Sequence, residues 1–153
     1  MKMNEQDRNL MLDALLTEGE SYQAKIWAVL MADTATVAGL VGFSHFVTGN
    51  SGFAGALGAF TNQYCYVGLT EQSINIAVIE TMDVSQVKAQ FKIPRTAIQN
   101  VKVKGSFIPG RKTVHLSLEG KKKFSISVMS SAIGTDIKDQ KENATKFIEA
   151  INQ

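Results

Sequence analysis

An alternation of apolar and polar side chains with a period of two, repeated four times between Val87 and Val128, is what most constrains the fold of this chain. Val87, Ala89, Phe91 and Ile93 alternate with Lys88, Gln90 and Lys92, and Val101 and Val103 alternate with Lys102 and Lys104. Val114, Leu116 and Leu118 then alternate with His115, Ser117 and Glu119, and Phe124, Ile126 and Val128 with Lys123, Ser125 and Ser127. Successive side chains of a strand point to opposite faces, so the pattern predicts half-buried antiparallel strands. Pro109-Gly110 and Glu119-Gly120 fall where the pattern breaks, and glycine supplies the positive φ that tight hairpin turns need. The expectation is a meander of four strands with one apolar and one basic face.

Upstream, Asn4 can cap a short helix with Asp7 in its first turn, and Leu10, Met11, Ala14 and Leu15 recur at helical spacing until Gly19. Tyr22 to Ala32 reads YQAKIWAVLMA, with Lys25 its only charge, and predicts a first strand that is central or covered on both faces. Tyr64 to Leu69 and Ser73 to Glu80 predict two more strands, joined by the polar turn Thr70-Glu71-Gln72. Thr81 to Ser85 is a loop into the meander. A last helix is predicted near Asp139, where Asp139 and Glu142 have capping-box spacing and Ala144, Phe147, Ile148 and Ile151 form a stripe for the sheet.

No charged side chain occurs in the 37 residues between Asp33 and Glu71. This segment, at about 34–62, carries Gly39, Gly42, Gly49, Gly52, Gly55 and Gly58 among Phe43, Phe46, Phe53 and Phe60. Ser44-His45 and Thr48-Gly49-Asn50-Ser51 interrupt it too often for a transmembrane helix. A pair of short helices turning at Gly49 to Ser51, burial against a neighbouring subunit, a mobile loop and membrane contact are the readings left open.

The 153 residues suit one domain, spanning 1–153 with that insertion between its first two strands, and a chain this long buries about 70% of its unfolded surface. Charge is unevenly placed. Met1 to Asp83 has three basic and nine acidic residues, Val84 to Phe124 has ten basic and one acidic, and the remainder is nearly balanced. Lysines on a strand face serve solubility and block sheet edges, but a cluster of one sign also concentrates acidic partners. Lys102, Lys104, Arg111, Lys112, Lys121, Lys122 and Lys123 are the candidate anion-binding residues.

Motifs of known chemistry are not found. His45 and His115 have no histidine or paired carboxylate at ligand spacing, so no metal site is expected. The single cysteine, Cys65, lies in an apolar strand where burial makes a thiol inert, and it excludes an internal disulfide. Neither phosphate-loop nor dinucleotide fingerprint is present, and the Gly-Ser clusters of the insertion do not match G-x-S-x-G. Single-stranded nucleic acid would need aromatic platforms among the cations, yet Phe91 and Phe124 point inward by period and only Phe107 remains. The polar N-terminus MKMNEQDRNL has no apolar run for secretion, which makes a cytoplasmic location the default.

The order of helix, about seven antiparallel strands and helix, with LTEGE at 16–20, YVGLTEQSI at 66–74 and IPRTAIQNV at 93–101, resembles the bacterial pleckstrin-homology-like (PH-like) domains. The family shows a GE before strand one, an L-T turn and an I-P…I segment, whereas Ser73 stands where it often has a basic residue. The resemblance implies a mainly β fold: a bent antiparallel sheet or partly open barrel of about seven strands, closed by a C-terminal helix. It also implies a binding or assembly module without catalytic residues or cofactor. Phosphates are held in some members of the wider superfamily by basic residues in the loop after strand one, and here that loop is the uncharged insertion. Two functions follow as expectations. One is a non-catalytic, self-associating module, a homo-oligomer or partner of another protein, assembling through Phe43, Phe46, Phe53 and Phe60. The other is a peripheral membrane protein whose basic strands meet anionic lipid while Phe43, Phe46 and Phe53 insert.

Overall fold

The computed structural model describes residues 2–31, 63–80, 82–105, 110–119, 122–131 and 134–152, and the backbone of 44–46. The chain begins with α1 (Glu5–Asp13) and β1 (Ala24–Met31), followed by the three-residue β2 (Ser44–Phe46). β3 (Gln63–Leu69), β4 (Ser73–Ile79), β5 (Val87–Pro94), β6 (Ile98–Gly105), β7 (Arg111–Leu118) and β8 (Lys122–Met129) come next, and α2 (Gln140–Ile151) closes the order. All strands join one sheet in the order β2-β5-β4-β3-β1-β8-β7-β6, and every pairing is antiparallel.

The sheet bends, and the core shows it. In a flat sheet β5 and β7 would stand about 24 Å apart at about 4.8 Å per strand. Yet Phe91 and Ile93 of β5 share one buried cluster with Val114 and Leu116 of β7. Ala144, Phe147 and Ile151 of α2 complete that cluster, so the helix caps the apolar side between the two wings. Seven long strands, an unclosed bent sheet, a C-terminal helix and a short N-terminal one make this a mainly β, PH-like fold.

The predicted meander is split. Pro94 lacks the N–H that would continue a ladder, and Arg95–Ala97 forms a single 3₁₀ turn there. β5 therefore stays with β4 while β6 pairs with β7 at the far end of the sheet. The basic face is thereby reduced to three strands, because Lys92 of β5 is engaged with Glu20 and Lys88 with Gln63. The turn glycine of the β6–β7 connection, Gly110, has φ +79°, as a hairpin residue of that kind requires.

Both helices correct details of the sequence reading. Asn4 does cap α1, its Oδ1 accepting from the Asp7 backbone N–H at 2.8 Å, but the helix ends at Asp13. Leu10 is 65% exposed and Ala14 is exposed, while Met11, Leu12 and Leu15 are buried with Met3 against Trp27, Tyr66, Ala77 and Ile79. This second cluster lies on the outer side of the sheet, so β1 is covered on both faces. At α2, Asp139 makes no side-chain cap; its carboxylate is taken by Arg8 at 2.7 and 3.2 Å, and Glu142 pairs with Lys146 instead. The capping box is not formed because a buried guanidinium is the stronger partner.

Ser44–Phe46 pairs with β5, Ser44 opposite Phe91 and Phe46 opposite Gln90, so this part of the insertion is a strand and not part of a helix pair. The rest of the expected insertion lies outside the described residues.

Candidate functional site

The three stretches that carry the family resemblance meet in space. Gly19, at φ +87°, lets the turn at Thr17 close so that Glu20 Oε1 accepts from the Thr17 backbone N–H at 2.8 Å and its hydroxyl at 2.5 Å. The same oxygen takes Lys92 Nζ at 2.6 Å, and Oε2 takes the Thr70 hydroxyl at 3.3 Å. Burial alone would raise the Glu20 carboxyl, but hydrogen bonds from Lys92 and Thr17 outweigh it and hold the pKa at about 2. Thr70 Oγ1 in turn accepts the backbone N–H groups of Gln72 and Ser73. Arg95 donates to the Thr70 carbonyl at 3.2 Å and to the Ala150 carbonyl of α2 at 2.9 Å. Ser73 passes the network to Asn75, whose Nδ2 donates to the Tyr22 hydroxyl at 3.0 Å. Every group in this clasp has a protein partner, so it fixes β1, the β3–β4 hairpin, β5 and α2 relative to one another. Glu20, Thr70 and Arg95 thus each hold one segment of the fold against another.

The basic residues divide by register. Lys102 is opposite His115, which is opposite Ser125; Lys104 is opposite Thr113, which is opposite Ser127; and Ser117 is opposite Lys123. Lys102, Lys104, Arg111 and Lys123 therefore share the outer side of β6, β7 and β8 with Thr113, His115, Ser117, Ser125 and Ser127. The three lysines are exposed and Arg111 is half-buried. Lys112 and Lys122 are exposed too, but they pair with Val128 and Leu118 and take the core-side register at opposite ends of the β7–β8 ladder. Lys121 lies outside the described residues. Among the described residues the ion pairs are Arg8–Asp139, Lys92–Glu20 and Lys146–Glu142, and none of them involves the outer face of β6–β8. α1 packs on β1, β3 and β4 and leaves that face to its lysines and hydroxyls.

Two clefts flank Arg111. One, of about 430 Å³, lies between the β6–β7 end and α2 and is lined by Arg111, Lys112, Val128, Ala144, Ile148 and Glu149 among others. The other, of about 340 Å³, crosses the outer side of four strands and is lined by Trp27, Val29, Tyr64, Arg111, Ser127 and Met129. The Trp27 and Tyr64 rings are 6.3 Å apart at 48°. Arg111 Nε donates to the Ser127 hydroxyl at 2.6 Å. Sequence pattern placed Arg111 among the cations but gave no sign of Trp27 or Tyr64 as its neighbours, since their approach depends on β1 lying between β3 and β8.

Phe43, Phe53 and Phe60 lie outside the described residues, and Phe46 is described only as backbone within β2. His115 Nδ1 is 2.8 Å from the Ser125 hydroxyl, a cross-strand pairing of the kind that orders a sheet face. Cys65 is fully buried, its Sγ 3.5 Å from the Ala28 carbonyl, and burial pushes the thiol pKa up. Among the described residues no group of three or more His, Cys, Asp or Glu side chains could hold a metal ion, and no helix is long and apolar enough to cross a membrane.

No protein-family profile and no curated protein matches the chain. Among solved structures it is similar to the hSac2 domain from human phosphoinositide phosphatase Sac2, with a TM-score of 0.51 and 11% identity over 94% of this chain and 75% of that one. At that identity the likeness is one of fold.

Proposed function

We propose that this chain is a non-catalytic binding module of the bacterial PH-like type, located in the cytoplasm, that meets an anionic membrane surface with the outer face of β6, β7 and β8. The observation that carries the reading is the shared register of Lys102, Lys104, Arg111 and Lys123 on one side of three strands, with no carboxylate paired to them among the described residues. Each cation brought to an anionic bilayer contributes about 1 kcal/mol, so four facing one way give measurable, salt-sensitive association. The half-buried Thr113 and Ser117 hydroxyls between them suit phosphate oxygens, which accept hydrogen bonds from both kinds of group. The hSac2 domain comes from a phosphoinositide phosphatase, but at 11% identity it lends a fold and no ligand.

The test is flotation of the intact chain with neutral phosphatidylcholine vesicles and with vesicles containing phosphatidylserine, at low and near-physiological salt. Binding to the anionic vesicles only, lost in Lys102→Glu/Lys104→Glu/Lys123→Glu, is the expected result. Equal flotation of that variant, or none of the intact chain under any condition, refutes the membrane reading.

A further inference from the structure

We infer that the cleft between Trp27, Tyr64 and Arg111 is a binding site for a small organic anion, one with a flat or apolar body ending in a carboxylate or phosphate. Two observations converge on it. Trp27, only 7% exposed and so held in place, gives the cleft one aromatic side. Arg111 engages one nitrogen with Ser127 and has no carboxylate partner among the described residues, so the planar edge of its guanidinium remains to grip an anion with two parallel hydrogen bonds.

The body of the ligand is set by the remaining lining. Val29 and Met129 supply an apolar floor, and Tyr64, 53% exposed and tilted towards Trp27, supplies an aromatic wall. A volume of about 340 Å³ lies at the small end of ligand pockets and admits one ring system or a short acyl chain, not a folded partner. The register explains why these groups meet: Val29 is opposite both Tyr64 of β3 and Ser127 of β8, and Arg111 is opposite Met129. The neighbouring cleft against α2 is the weaker choice, because Glu149 puts a carboxylate in its lining. This site is distinct from the membrane face in ligand and in its aromatic lining, although Arg111 borders both.

Trp27 is the only tryptophan in the chain, so its ¹⁵N–¹H indole resonance is a single reporter inside the cleft. The intact chain is titrated with phenyl phosphate, with benzoate and with neutral benzamide. The expected result is a saturable movement of the indole signal with one or both anions, half-complete below about 1 mM, and none with benzamide. Arg111→Met weakens it about tenfold or more, and Tyr64→Ala, at an exposed position, weakens it while the backbone amide spectrum stays that of the folded chain. The Lys102→Glu/Lys104→Glu/Lys123→Glu variant keeps the response, which separates this site from the membrane reading. No movement with either anion, movement equal for benzamide, or movement unchanged in both Arg111→Met and Tyr64→Ala overturns the inference.

Discussion

Glu20 Oε1 and Lys92 Nζ stand 2.6 Å apart, joining the turn before β1 to the middle of β5 across 72 residues of sequence. The Glu20 side chain is 5% exposed, and Lys92 also donates to the Leu15 carbonyl at 2.6 Å, so the pair locks the end of the N-terminal segment onto the sheet. Because the folded carboxyl titrates at about 2 against an ordinary 4.5, the unfolded chain binds the proton more readily between those values. The stability this pair contributes is therefore complete above about pH 4.5 and lost as pH falls towards 2. Urea unfolding at pH 6 and pH 3 is expected to show a lower midpoint at pH 3. In Glu20→Gln, less stable by about 2 kcal/mol at pH 6, the difference between the two pH values shrinks.

Removing Asp139 is expected to harm the fold more than removing its partner. Arg8 is 2% exposed and its other described acceptors are the Lys25 carbonyl and the Asn9 side chain, so Asp139→Ala strands a buried cation. Arg8→Met leaves instead a partly exposed carboxylate that water can solvate. Denaturant titration should place Asp139→Ala about 3 kcal/mol below the parent, with Arg8→Met the milder of the two.

Gly68 is expected to resist even alanine. A Cβ at this position would run into the Tyr22 ring, which lies over the bare backbone of β3 while its hydroxyl donates to the Leu12 carbonyl and accepts from Asn75. Gly68→Ala should destabilise by about 1–3 kcal/mol. Combined with Tyr22→Ala it should add little further, and a double-mutant cycle measures that coupling.

Gln140 bridges a gap in the ladder between β1 and β8. Its Nε2 donates to the Trp27 carbonyl at 3.0 Å and the Met129 carbonyl at 2.7 Å, and its Oε1 accepts from the Trp27 N–H at 3.1 Å. Gln140→Leu keeps the volume but unpairs three backbone groups. A loss of about 3 kcal/mol is expected, read by chemical unfolding followed through Trp27 fluorescence.

Strand positions were legible because the period of two survives wherever one face is buried: Phe91, Val114, Leu116, Phe124 and Ile126 are all buried as their spacing predicts. Which strands pair was not, because Pro94 marks a turn without saying whether the next strand folds back or crosses to the other wing. The register of Lys102 and Lys104 was readable, since alternation fixes a face. The two clefts were not, because Trp27, Tyr64 and Arg111 come from three segments far apart in sequence and only the sheet order joins them. Asp139 read as a helix cap and Arg8 drew no reading, because nothing local signals that one will be buried against the other.

The central place of β1 also sets the order in which the chain can be completed. One edge of β1 is matched when β3 appears, but Ala28 waits for Val128, about 100 residues further on. At about 5–20 residues per second of synthesis, that edge stays open for roughly 5–20 s on the ribosome. The α1 side of β1 and the β3–β4–β5 wing can assemble early; β6, β7, β8 and α2 must then arrive together. Nascent chains halted before β8 should therefore be the species that capture other strands.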